Sequence, residues 1–402
     1  PLADLHFDLH QIPLDENSYD VIFCNHVLEH VEDEVHAALE GNKALQGEIN
    51  KLKAQISANK KAMSASSKVA KKFSKLSLGG YGELHYNNTE TDAGAKTRKM
   101  DFHRFVLFVG YDFSPKVRFF SEYELEHSIA GEGKVGEVEL EQAYIEYDVT
   151  DKLTTRAGMM LLPVGIMNEV HEPTTFYGVE RNNVEAKIIP ATWWAGGVGV
   201  TYKASQNITI DAMFHEGLAV PVSGSSALYI RSGRQKTGNA DVGDMAYTAR
   251  VKWQKDGLAL SAFWNEQTDA SANEADILDG ASIYGVSAQY THPSGLELRA
   301  LHAEADLDVT DSSSSLVTNG FDEQEGSYLL ASYRIDDTWG IFAEWESVEA
   351  YSASNEFDQY RVGFNMYWDK NAVIKFDYVD HEKDASSTSD FDGFNVGMGY
   401  DF

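Results

Sequence analysis

Two stretches of this sequence gather side chains that could bind an ion or move a proton. The first reads Asn168-Glu-Val-His-Glu-Pro-Thr-Thr-Phe-Tyr-Gly-Val-Glu-Arg181 and sets His171 between Glu169 and Glu172. An imidazole with two carboxylates is a usable ligand set, but spacing is informative only where a helix or strand fixes it. No such spacing is present, so no metal is assigned. The second stretch places Glu122, Glu124 and Glu126 on alternate positions. This carboxylate ladder suits either a cation such as calcium or the lining of a wet space, and lining is the assigned reading. The single thiol, Cys24, cannot form an internal disulfide. No Ser or Asp pairs with a His in a recognisable catalytic pattern, so no catalytic residue and no cofactor is assigned.

The remaining charged groups follow a different logic. Arg104, Arg118, Arg156, Arg250, Lys252, Arg299, Arg334, Arg361 and Lys375 fall on the polar parity of alternating runs. Asp112, Glu122, Glu124, Glu146, Glu344 and Asp377 share that parity. A β-strand sends successive side chains to opposite faces, so each run has one oily and one ionisable face. Phe394, Val396, Met398, Tyr400 and Phe402 alternate with Asn395, Gly397, Gly399 and Asp401; Trp339, Ile341, Ala343 and Trp345 alternate with Gly340, Phe342, Glu344 and Glu346. A sealed sandwich core would not tolerate those unpaired charges. A wide barrel with oil outside and water inside does.

The breaks between runs support a barrel. Tight ones fall at 114–116, 150–152, 204–207, 255–257, 293–295, 336–338 and 369–371. Long polar ones fall near 89–98, 128–136, 166–192, 217–244, 268–280, 307–325, 350–356 and 382–390. Short-long alternation over about 16 runs predicts an all-β transmembrane antiparallel barrel across residues 76–402. No stretch approaches ~18 consecutive apolar residues, so helical spans are excluded. With 33 basic and 63 acidic residues and a net charge of -30, a nucleic-acid partner is excluded as well.

Two segments precede the barrel. Residues 38–75 carry Leu45, Ile49, Leu52 and Ile56 at spacings of four, three and four. That seam predicts a short helical coiled coil, with a flexible linker or surface helix as the alternative. From Gly41 to Lys75 there are nine Lys and one Glu, the reverse of the whole-chain balance. Residues 1–37 contain a buried-strand pattern, Tyr19 to Cys24, then Leu28-Glu-His30. Pro1 to His10 lack the basic start and apolar run of a secretory leader.

The first 37 residues resemble a fragment of class I S-adenosylmethionine-dependent methyltransferases, without the Gly-rich loop that holds the cofactor. They are read as a non-functional remnant. The barrel resembles the phosphate-selective porin family and its dicarboxylate-channel relatives. The motifs are Gly79-Gly-Tyr-Gly-Glu-Leu-His-Tyr86, Ser121-Glu-Tyr-Glu-Leu-Glu-His127, the 168–181 stretch and Ile188-Ile-Pro-Ala-Thr-Trp-Trp194. Phe402 matches the aromatic end read by the outer-membrane assembly machinery, and a coiled coil before the barrel occurs among these relatives.

The resemblance implies a bacterial outer-membrane location, outer-membrane lipids as surroundings and a homotrimer. The expected function is passive diffusion of small anionic or neutral solutes through a water-filled bore. The Arg and Lys lining suggests a preference for phosphate or small carboxylates. Cross-strand neutralisation by the acids, leaving weak selectivity, is the alternative. The apolar anchors Phe176, Tyr177, Ile188, Ile189, Trp193 and Trp194 suggest that loop 166–192 folds inward. It would then bring Glu169, His171, Glu172, Arg181 and Lys187 to the narrowest point; an extracellular cap is the other possibility. A non-selective structural or adhesin-type barrel, or an enzyme barrel, remain rival functions, and a planar-bilayer recording separates them.

Overall fold

The computed structural model describes residues 43–132, 134–272, 277–383 and 389–402. The segment 1–37 lies outside the described residues. The chain divides into two compact units, Pro1–Ser74 and Lys75–Phe402. In the first, Lys43–Phe73 forms one 31-residue helix, α1, rich in Lys, Ala and Ser and free of proline. Leu52 of the predicted seam is 48% exposed.

The second unit is a closed barrel. Its strands are β1 (Leu76–Thr91), β2 (Lys96–Ser114), β3 (Val117–Glu126), β4 (Val138–Asp148), β5 (Leu153–Leu161) and β6 (Trp194–Lys203). Then come β7 (Ile208–Glu216), β8 (Met245–Lys255), β9 (Leu258–Gln267), β10 (Leu278–Thr291) and β11 (Leu296–Val309). The last are β12 (Glu323–Arg334), β13 (Trp339–Glu349), β14 (Glu356–Asp369), β15 (Ala372–Lys383) and β16 (Phe391–Asp401). Each pairs with its sequence neighbours, and β1 pairs with β16 from Tyr81↔Asp401 to Thr91↔Phe391. Closure leaves no unpaired edge, which is what a strand protein in hydrocarbon requires. No described helix is long and apolar enough to cross a membrane.

The alternation sorts faces as expected. Val251, Trp264, Val286, Leu329, Ile341, Val362 and Phe364 are exposed on the outer wall. In water they would be a liability; against lipid they form the apolar band. All seven tight turns lie at one end. At the β8–β9 turn, Asp256 and Gly257 both take positive φ, 49° and 83°. That is the Asp-Gly hairpin geometry whose twist matches the strands it joins.

At the other end one expectation changes. Residues 89–98 are mostly strand, because Lys96–Glu90 and Arg98–Asn88 pairs continue the β1–β2 ladder outward. The long connections after β5 and β7 carry short helical turns, α2 (Asn183–Lys187) among them; α3 (Ser315–Thr318) lies before β12.

Candidate functional site: the bore and its inserted loop

Residues 162–193 join β5 to β6, yet they bond to strands right round the barrel. Thr174 Oγ1 donates to Asp401 at the short-turn end of β16. Val179 N–H donates to Asp377 at 2.6 Å, and Lys375 Nζ donates to the Gly178 carbonyl at 2.9 Å. Asn183 donates to Glu346 through its side chain at 2.7 Å, and Arg299 donates to the Thr175 carbonyl at 2.9 Å. A segment reaching β11, β13, β15 and β16 together has to run through the interior. Its apolar anchors hold it there: Phe176, Ile188, Ile189, Trp193 and Trp194 are buried, and Tyr177 is half-buried with its hydroxyl on Glu297.

The sequence reading missed a second insertion. The 217–244 connection is polar by its sequence. Ser223–Ser225 are indeed exposed, but Leu218, Val220, Leu228 and Ile230 are buried beside Ile188 and Trp193. The inner faces of β10–β12 match them with Ile283, Leu301, Ala303, Ala305 and Leu330. This sector of the bore is therefore an apolar core rather than a wet wall. The apolar residues flanking a polar tip were the available signal.

The wall arginines are largely paired. Arg118 binds Glu146 and Asp148, and Arg156 binds Glu146. Arg250 contacts Asp211 at 2.7 Å and also Glu169, while Arg299 contacts Glu297 at 2.6 Å. Arg104 sits 2.7 Å from Glu83 and 3.5 Å from Glu124, and Arg361 lies 3.1 Å from Glu344 and 3.4 Å from Glu346. Arg334 lies over the Tyr367 ring at the short-turn end, donating to the Asp336 and Asp337 carbonyls. Lys252 faces a small space beside Glu169. Lys375 is buried against the Phe176 ring, so it anchors the loop instead of lining open water. Glu122 and Glu124 are also covered by the loop, each 1% exposed. Lys187 reaches Asn355 at 3.4 Å, and Glu172 borders the smaller cavity described below.

The loop-borne cations differ. Arg181 donates to the His171 carbonyl at 2.8 Å. Arg231, from the second insertion, donates to the carbonyls of Ala186 and Ala191, and Arg234 to that of Thr192. These three arginines make no ion pair among the described residues. Burial, then the facing charge of Arg234, brings the Arg231 guanidinium down to about 10. Burial also lowers Arg234 and Lys187. Arg181 and Arg231 border a cavity of about 510 Å³ with Glu83, His85, Arg104 and Glu180. Burial would raise Glu180, but the hydrogen bond and charge of His85 outweigh it and hold the carboxyl at about 2.

The family model described as "Phosphate-selective porin O and P" matches residues 78–402. The chain belongs to that family. A second model, described as a methyltransferase domain, matches residues 2–47. An uncharacterised protein of Aquifex aeolicus is 38% identical over 193 residues, which is 47% of this porin and 43% of that relative. The porin thus spans less than half the length of the curated relative it matches.

Two solved barrels share the fold of this porin. The anion-selective porin from Comamonas acidovorans superposes with a TM-score of 0.56 at 11% identity, covering 81% of this chain and 99% of that one. The trimer form of OmpT from Vibrio cholerae gives 0.52 at 12% identity, covering 82% and 100%. Sixteen antiparallel strands and the family assignment make this an outer-membrane barrel of the porin kind.

Proposed function

We propose that this porin is an anion-preferring diffusion channel for phosphate or small carboxylates, with loop 166–192 as its constriction. One observation carries the reading: Arg181 and Arg231 border the cavity beside that loop without a carboxylate partner among the described residues, whereas its acids Glu83 and Glu180 are tied to Arg104 and His85. A guanidinium held by carbonyl oxygens keeps its charge uncompensated, and its planar donors suit phosphate and carboxylate oxygens. Low-dielectric walls focus that charge along the bore. The selectivity therefore rests on loop cations more than on the wall ladder. The working assembly is proposed to be a homotrimer in outer-membrane lipid, with the segment 38–75 as a coiled coil joining copies. The segment 1–37 is proposed to play no part in transport.

Reversal potential across a planar bilayer in a KCl gradient tests the charge reading. The parent is expected to favour chloride. Arg181→Gln with Arg231→Gln should cut the anion-to-cation permeability ratio about threefold or more, while the Lys pair retains it. A cation-selective parent overturns the proposal, as does a Gln pair with unchanged selectivity.

A further inference from the structure

A second cluster lies where the loop meets β3 and β4. His171 Nε2 is 3.4 Å from Glu122 Oε1 and 3.7 Å from Glu141 Oε2. Exposures are 3% for His171, 1% for Glu122 and 2% for Glu141. Those three facing atoms have no hydrogen-bond partner. Each residue's other polar atom is occupied: His171 Nδ1 by the Asn168 carbonyl at 3.1 Å, Glu122 Oε2 by Gln142 at 2.7 Å and Glu141 Oε1 by Thr192 at 3.4 Å. A carbonyl on Nδ1 calls for a proton there, so in the metal-binding tautomer the Nε2 lone pair faces two carboxylate oxygens. Outer partners that orient each ligand in this way are the mark of a built metal site.

Glu141 joins the cluster through a β-bulge. Glu122 pairs with Gln142 and Tyr123 with Leu140, so Glu141 is the extra residue and turns inward. We infer that His171, Glu122 and Glu141 bind one first-row divalent cation, with Zn²⁺ as the reference ion, which latches the loop to the barrel wall. Ligand atoms ~2.1 Å from a tetrahedral ion stand roughly 3.4 Å apart, close to the separations seen. Calcium, which takes six to eight oxygens, suits a nitrogen-containing trio poorly. Two carboxylates, a neutral imidazole and a divalent ion sum to zero charge, which removes the cost of two facing buried anions. A cavity of about 350 Å³ borders Glu122 and His171 together with Gln142 and Arg156, and is the side from which the ion and a water ligand would enter.

Among the described residues, two other groups have ligand-like composition but a different state. His103 and His127 already hydrogen-bond Asp101 at 2.9 and 2.7 Å. His302 is held by Ser327 and Glu304, both at 2.8 Å. They serve as background to be removed.

The test uses the folded full chain in detergent, carrying His103→Asn, His127→Asn and His302→Asn, stripped with EDTA and titrated with ZnCl₂. One Zn²⁺ per barrel should survive gel filtration, counted by mass spectrometry of the metal. Co²⁺ in its place should give the intense visible absorption of four-coordination. His171→Asn and Glu141→Gln should each weaken binding at least about tenfold in folded barrels, checked by heat-modifiable gel migration. A barrel that retains no ion overturns the inference, and so do variants that bind like the parent. Should neither variant fold, the parent's count and Co²⁺ spectrum decide: absence of the four-coordinate band overturns it, because an imidazolium bridging two carboxylates would then account for the cluster.

Discussion

At the residue scale the inserted loop uses two glutamates in opposite ways. Glu185 is buried, and its carboxylate accepts from the N–H groups of Ile166 and Met167 at 2.8 and 2.6 Å and from Tyr328 at 3.0 Å. Burial still pushes its pKa up despite those donors. Glu180 is held at about 2 by His85, although 44% of its side chain meets lumen water. Its folded pKa lies below the unfolded value of about 4.3, so its stabilisation is complete above that value. It is then lost as pH falls toward 2. Water screening limits the gain to about 1 kcal/mol or less. Guanidinium unfolding followed by tryptophan fluorescence should therefore show the parent losing stability between pH 4.5 and 2 more steeply than Glu180→Gln. Parallel profiles would mean that the His85 contact contributes nothing.

At the element scale, turns are where local sequence decides geometry. Gly257 has φ of 83°, and a Cβ there would meet the Thr291 carbonyl oxygen at 2.2 Å. Gly94 has the same φ of 83° with open space around it. Gly94→Ala should cost about 1 kcal/mol from the backbone alone, and Gly257→Ala clearly more, in urea unfolding of the folded barrel. Equal losses would show that the β8–β9 turn relaxes freely. The same contrast explains what the sequence revealed. Asp-Gly at 256–257 and the period-two runs are local signals, so strands and tight turns were legible. The partners of His171 were not. Its sequence neighbours Glu169 and Glu172 were the visible candidates, whereas Glu122 and Glu141 come from other strands, and Glu141 turns inward through a bulge set by its pairing with β3. Likewise Leu228 and Ile230 look like loop residues until the apolar inner faces of β10–β12 are known to oppose them.

At the scale of the whole molecule, the outer wall is not uniform. Across β9–β13 the outward positions include Ala262, Ala288, Ala300, Ala331 and Ala343, which leave two neighbouring grooves of about 770 and 620 Å³. His302 and Glu304 point outward in the same sector, with side chains 41% and 39% exposed. Ionisable groups facing lipid are costly, whereas small residues let two walls approach closely. Both features favour this sector as the contact face of the proposed homotrimer. On the far side of the barrel, Ala143 of β4 pairs with Met159 of β5, away from those grooves. Light scattering in detergent should give a three-copy mass for the parent and for Ala143→Trp. Ala300→Trp should shift the mass to single barrels that still show heat-modifiable migration. A single-copy parent would refute the trimer. An Ala300→Trp variant that remains a trimer would move the interface elsewhere, and His302 and Glu304 would then have to face lipid.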